Sequence, residues 1–377
     1  MVSDMTQAAE SIKSVPASGG KRKFDLDEAL TKGVQNAATD LHCRCFDFPI
    51  FRVHGALIRD TTYEQFSPDS IRKVALSILN DYQKNNLEEN GDTDLAYQLE
   101  GISRFRVNVF YERDNLGIAF RTIPQRIPTM KELFLPEEIC TNLSMKPRGL
   151  VLVTGPTGSG KTTSLASMLN HINENKPVNI ITIEDPIEYK HTSKVAMISQ
   201  REVGSDTISF QRALRSALRQ DPDVILLGEM RDLETISTAL TAAETGHLVF
   251  ATLHTSSAAS SVDRIIDVFP PSQQGQIRAQ LANTLQGIMT QALLPRTKQM
   301  GGGRIVAIEI LTATHGVRSM IRERKTHQIV TALEAGAQYG MRTLDMDLKR
   351  LLKEQKITLD TALSVAQNPD EFKTGAI

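Results

Sequence analysis

The chain has 377 residues, 40% of them hydrophobic and 23% charged, with 43 basic against 44 acidic side chains and a formal net charge of −1. That length and balance fit a folded, mixed α/β enzyme of two domains and rule out a disordered chain, while the near-zero charge gives no bulk pull toward nucleic acid or anionic lipid. No apolar stretch reaches the roughly 18 to 20 residues that span a bilayer, and the amino terminus lacks the layout of a signal peptide, so a cytoplasmic location is expected.

Residues 1–25, rich in Ser, Ala, Gly and Lys, read as a flexible tail. A first domain follows over 26–123. Within it, 50–58 alternates as a strand, 68–82 carries a helical pattern, and 104–110 alternates again with Phe105, Val107 and Val109 on one face. Cys43, Cys45 and Cys140 form no C-x-x-C pair, which argues against a zinc knuckle or a disulfide framework. Pro124, Pro128, Pro136 and Pro147 punctuate 124–147, expected as an interdomain linker with one short helix at 130–135. From 148 to 377 runs a second domain. Apolar runs at 150–153, 180–183, 224–227 and 248–253 alternate with helical or polar segments, a rhythm that predicts a parallel sheet with ligands at the carboxyl ends of its strands. After residue 272 the pattern reads as mostly helical, apart from Gly301-Gly302-Gly303 and an apolar run at 305–311.

Gly155-Pro156-Thr157-Gly158-Ser159-Gly160-Lys161-Thr162 is a complete G-x-x-x-x-G-K-[ST] loop at a predicted strand-to-helix junction, and Thr163 follows it. Such a loop turns backbone N–H groups toward an anion at the positive end of a helix dipole. Lys161 is placed to reach the terminal phosphates of ATP, and Thr162 to ligate Mg²⁺. The strand 224–227 ends in Gly228-Glu229, an acid suited to hold the metal or its water shell opposite Thr162. The strand 180–183 delivers Glu184 and Asp185 to the same edge; neighbours on an extended chain point opposite ways, so Glu184 is assigned to the attacking water and Asp185 to the turn before Pro186. A third strand is bracketed by His247 and His254, candidates to sense a γ-phosphate; zinc is the alternative, but further ligands are lacking nearby.

These four motifs in order, with Thr182-Ile183-Glu184-Asp185-Pro186-Ile187-Glu188-Tyr189 and Gly228-Glu229-Met230-Arg231-Asp232 written out, resemble the secretion-ATPase superfamily, and more narrowly the PilT-type motors of type IV pili, over nearly all of residues 35–372. The resemblance implies a hexameric ring of subunits in which a RecA-like P-loop ATPase domain is preceded by a smaller PAS-like α+β domain. It implies that arginines of the first domain contact the phosphates, here Arg106 and Arg121, although alternation puts Arg104 on the same strand face as Arg106. It also implies an inner-membrane platform partner, peripheral placement at the inner face of that membrane and, in some systems, a paralogous motor, while the near-zero net charge argues against nucleic acid as a partner. Assembly and type II secretion ATPases of this superfamily add a four-cysteine metal site that three unpaired cysteines cannot build, so the resemblance favours retraction over assembly or secretion, and the complete set of Lys161, Thr162, Glu184 and Glu229 argues against an accessory, non-hydrolysing subunit. Two departures stand out: Thr39-Asp40-Leu41-His42 replaces Ser-Asp-Leu-His, and Gly316-Val317-Arg318-Ser319-Met320-Ile321-Arg322-Glu323 replaces Ala-Ile-Arg-Asn-Leu-Ile-Arg-Glu, where a glycine inside a helix costs up to about 1 kcal/mol.

Overall fold

Two kinds of strand pattern build two kinds of sheet. The computed structural model describes residues 21–53, 56–123 and 126–373, in two units. The first runs to Arg126 and takes in Pro186–Lys190; the second is Ile127–Asp185 with the chain from His191 onward. The predicted tail lies outside the described residues as far as residue 20.

In the first unit, helix α1 (Leu26–Gln35) precedes β1 (Ala38–Arg44), β2 (Ile50–Val53), β3 (Ala56–Arg59), helices α2 (Pro68–Ile78) and α3 (Asp81–Asn90), then β4 (Asp92–Leu99), β5 (Ser103–Glu112) and β6 (Asn115–Ile123). The six strands form an antiparallel sheet in the order β3-β2-β1-β6-β5-β4. Alternation fixes its inner face: Phe105, Val107 and Val109 of β5 are buried with Leu41, Phe51, Ile118 and Phe120. The single strand expected at 50–58 is instead the paired strands β2 and β3. The helix expected at 68–82 breaks at Leu79, because Asn80 accepts a hydrogen bond from the Gln83 N–H and opens a new helix with its own capping box.

The second unit begins with α4 (Glu137–Ser144) and continues through β7 (Gly149–Thr154), α5 (Lys161–Asn175), β8 (Asn179–Glu184), β9 (Met197–Glu202), α6 (Phe210–Ala217), β10 (Val224–Leu227), α7 (Leu233–Glu244), β11 (Leu248–Leu253), α8 (Ala258–Asp267), α9 (Pro271–Thr284), β12 (Leu285–Pro295), β13 (Arg304–Thr312), α10 (His315–Arg322), α11 (Ile329–Ala335) and α12 (Leu344–Lys353). Its seven strands are ordered β13-β12-β7-β11-β10-β8-β9, all parallel except β13 against β12. Both faces are covered, which is why the central strands read as unbroken apolar runs. Leu150 and Leu152 of β7 pack on one side with Ile181, Ile225 and Val249, while Val151 and Val153 pack on the other with Leu165, Met168 and Phe250.

Three local expectations are corrected here. No helix forms at 130–135, where the chain makes turns; α4 starts later, and Met130, Leu135, Cys140 and Leu143 are buried in this unit's core. Residues 285–295 are a strand, not a helix. Their apolar positions Leu285, Ile288, Met289, Ala292 and Leu293 mimic a helical stripe, and pairing with β7 on one side and β13 on the other overrides that signal. Gly316 falls in the first turn of α10, which Thr314 caps, rather than in the helix interior.

Candidate functional site

The carboxyl ends of β7, β8, β10 and β11 lie at one edge of the sheet, and the sequence candidates are read there. Gly155 leaves β7 with φ +140°, and a Cβ at this position would sit 2.4 Å from the Gln291 carbonyl and 2.6 Å from Ser159 Oγ. Only glycine fits both demands. Gly160 is the N-cap of α5, so Lys161, Thr162 and Thr163 form its first turn, where N–H groups have no partner within the helix. Lys161 is 8% exposed and donates through Nζ to the carbonyls of Gly155 (2.8 Å) and Pro156 (3.1 Å). Ser159 Oγ is buried without a hydrogen-bond partner among the described residues. A loop whose first glycine leaves no room for a side chain, and an unsatisfied hydroxyl within it, fit a phosphate-bearing ligand.

Glu184, at the end of β8, is buried at 6% exposure, and Asp185 is exposed. The Glu184 carboxylate accepts from Thr182 Oγ1 at 2.6 Å, two residues back on the same strand face, and from Gln200 Nε2 of β9 at 3.1 Å. Glu229 follows β10. Its backbone is fixed by Gly228, whose N–H donates to Ile183 O (2.8 Å) and whose carbonyl accepts from Thr252 Oγ1 (2.5 Å). The Glu229 carboxylate pairs with Arg231 and lies 3.9 Å from His254 Nε2. Burial, then Lys161, then Arg231, hold the His254 pKa below its ordinary value, so the ring is neutral at physiological pH. Thr162 and Glu229 offer the hard oxygen donors that Mg²⁺ prefers.

His247 does not join this group. It precedes β11 at the sheet's other edge, where its carbonyl accepts from Gly149 N and its Nδ1 lies 3.0 Å from Ala242 O. A six-residue strand separates it from His254 by ~20 Å. Its role is to fasten the end of α7 to the strand, and it is withdrawn as a catalytic candidate.

Arg106 and Arg121 are cross-strand partners in the first unit. Arg106 lies 3.7 Å from an Asp94 oxygen and 3.8 Å from a Glu188 oxygen, and Arg104 Nε donates to Ile187 O at 3.1 Å. Arg121 Nε donates to Asp40 at 2.9 Å; burial works against the Asp40 carboxylate, yet hydrogen bonds from Thr39 and Arg121 hold its pKa below the usual range. Thr39 therefore does in this unit the hydrogen bonding that a serine would do.

Arg231, Thr182 and Gln200 join the site without a role expected from the sequence. Arg231 stood two residues beyond Glu229 in a quoted motif, and Thr182 was the one polar residue inside an apolar run; Gln200 carried no signal, because the pairing of β9 beside β8 is not visible in one dimension.

The family model described as "Type II/IV secretion system protein" matches residues 22–343. The chain is 47% identical over 349 residues to the "Type IV pilus retractation ATPase PilT" of Pseudomonas aeruginosa, covering 93% of this chain and 100% of that protein. It is 47% identical over 327 residues to a "Twitching motility protein" of Neisseria gonorrhoeae, covering 87% and 86%. A crystal structure of the pilus retraction motor PilT with bound ADP superposes with a TM-score of 0.85 at 44% identity, over 92% of this chain and 98% of that one. With nearly its whole length accounted for at such identity, the chain belongs to the type II/IV secretion system protein family.

Proposed function

We propose that this chain is an ATP-hydrolysing motor subunit that powers type IV pilus retraction and so twitching motility. The observation that carries the reading is the grouping of Lys161, Glu184, Glu229 and His254 with a glycine-built phosphate cradle at the carboxyl ends of the parallel strands of one sheet. Relatives named for retraction and twitching at 47% identity support the direction of the motor.

In this reading Lys161 gives up its bonds to Gly155 O and Pro156 O for phosphate oxygens, so that binding exchanges neutral acceptors for charged ones. Thr162 and Glu229 would hold Mg²⁺, which would supply charge neutralisation at the phosphates. Glu184, its carboxylate steered by Thr182 and Gln200, orients a water and takes its proton. Arg106 and Arg121 are assigned to the phosphates, where a guanidinium on developing charge contributes ~10³ to 10⁵ in rate; the γ-phosphate then distinguishes the loaded from the spent arrangement, because a ligand shifts an equilibrium only by its differential affinity. We assign the working form to a homohexamer at the inner face of the inner membrane, against a platform protein and in some cells a paralogous motor.

Glu184→Gln tests the chemistry: nucleotide affinity stays within a few-fold while turnover falls by ~10² to 10⁴, the range for losing a general base. Unchanged turnover removes Glu184 from that role. Deleting the gene tests the direction, with surface fibres accumulating and twitching lost; absent fibres would assign the protein to assembly.

A further inference from the structure

His254 opens the connection from β11 to α8, and the residues after it are held far more tightly than an exposed loop requires. Thr255 Oγ1 lies 2.6 Å from Ser261 Oγ, and Ser261, fully buried on α8, also donates to the Ser257 carbonyl at 2.6 Å. The row continues inward. Ser261 Oγ is 3.5 Å from Thr154 Oγ1, and Thr154, the last residue of β7 before Gly155, pairs with Thr290 of β12 at 2.9 Å. Ser261 has one proton to place on the Ser257 carbonyl or on Thr154 Oγ1 and accepts from Thr255, so the row joins the start of the P-loop to the residue after His254 through side-chain hydroxyls.

A second hold comes from β13. Glu309, 2% exposed and the cross-strand partner of Thr290, accepts from the Ala258 N–H at 2.6 Å, the first N–H of α8. Its carboxylate also takes hydrogen bonds from the Leu344 backbone and the Gln367 side chain and faces Asp345; burial, the largest influence, raises its pKa. Gln367 Nε2 reaches back to the Ser256 carbonyl at 3.4 Å. Residues 255–258 are thus gripped from α8, from the sheet and from the carboxyl-terminal segment. Burying that many polar groups is unfavourable unless each is paired, and apolar residues would fill the same volume with less risk.

We infer that Ser261 and Glu309 are positioning residues that set where His254 stands relative to the P-loop. The inference rests on the reading of His254 as the group that reports the γ-phosphate. Both act on His254 through the backbone of its turn: Ser261 ties that turn to the strand that launches the loop, and Glu309 ties it to the sheet and to the segment around Leu344 and Gln367.

The test is steady-state ATP hydrolysis and fluorescent-nucleotide binding by the full chain, in His254→Ala, Ser261→Ala, Glu309→Gln and the double variant of His254 with Ser261. Ser261→Ala is expected to lower kcat about 10-fold with nucleotide affinity unchanged within two-fold, and to add less than two-fold when His254 is already Ala, because residues acting through one group are not additive. Glu309→Gln, which keeps an acceptor oxygen, is expected to lose at most three-fold. A normal rate in His254→Ala sinks the sensor reading itself. A large loss there with an undiminished rate in Ser261→Ala, or with losses that multiply in the double variant, overturns the positioning inference. Should Ser261→Ala fail to fold, Thr255→Val removes the other half of the same 2.6 Å pair at a half-buried position and is held to the same outcomes.

Discussion

Gly155 and Gly158 stand three residues apart in one loop, both with positive φ, +140° and +81°, yet their surroundings differ completely. An alanine methyl at 155 would lie 2.4 Å from a backbone carbonyl of β12 and 2.6 Å from Ser159 Oγ, whereas at 158 it would meet nothing within 4 Å. At 158 the substitution costs only the left-handed backbone, about 1 to 2 kcal/mol. At 155 a glycine-only backbone costs ~1 to 3 kcal/mol, and overlap with an oxygen that the sheet holds in place adds ~1 to 3 more. Gly155→Ala is therefore expected to lose about 1 to 4 kcal/mol more than Gly158→Ala. The measurement is urea unfolding without nucleotide, since at 158 an added methyl would face whatever fills the loop and confuse the comparison. Equal losses in the two variants, or a larger loss at 158, would refute the claim that contact with β12 fixes the start of the cradle.

Burial, then Lys194, hold the His191 pKa near 4 in the folded chain against 6.5 when free. The folded value is the lower, so the unfolded chain takes up the proton first and stability declines as pH falls from 6.5 toward 4, by about 3 kcal/mol in all; urea midpoints at pH 7.5 and 5 should differ less in His191→Asn than in the parent. Arg318 donates to Ala313 O (3.0 Å), Ala282 O (2.6 Å) and Asn283 O (2.7 Å), closing the carboxyl end of α9. Arg318→Ala should cost about 2 kcal/mol, and Arg318→Lys should recover less than half, because one ammonium cannot span the three carbonyls; full recovery by lysine would show that charge alone matters. Burial pushes the Cys140 thiol up to about 12 and the Cys43 thiol higher still, while Cys45 is only partly buried. Iodoacetamide at pH 8 should modify Cys45 first, with Cys43 and Cys140 reacting only after denaturation, as read by peptide mass spectrometry.

The central strands were legible because a parallel strand covered on both faces is apolar at nearly every position, and β7, β8, β10 and β11 each read that way apart from a threonine such as Thr182. The P-loop was legible because its glycines answer to backbone geometry rather than to packing. Legibility failed where the decisive information is which strand lies beside which. Met197–Glu202 is polar enough to pass for a loop, and β12 carries a helical stripe; both become strands only through their neighbours. His247 and His254 look equivalent in one dimension. Strand direction separates them, because parallel pairing puts Leu253 level with Thr154 and Leu248 level with Gly149, so only the later histidine can stand near the loop.

The same sheet order explains why this edge carries so many polar side chains inside an apolar core. Thr154, Thr182, Glu184, Thr290, Gln291 and Glu309 are all buried, on strands whose other inward residues are aliphatic or aromatic. A buried hydroxyl or carboxylate left unpaired costs about 1 to 3 kcal/mol, more for a charge, whereas aliphatic replacements would carry no such risk. Apolar packing tolerates small slips at little cost; hydrogen bonds do not, because they weaken steeply with distance and angle. Pairs such as Thr182 with Glu184, Gln291 with Ser164, and Thr154 with Thr290 therefore define atomic positions that a purely aliphatic core would leave loose. They cluster behind the residues assigned to phosphate, water and γ-phosphate sensing, where an error of 1 Å is costly in rate, and the sheet keeps its aliphatic filling elsewhere.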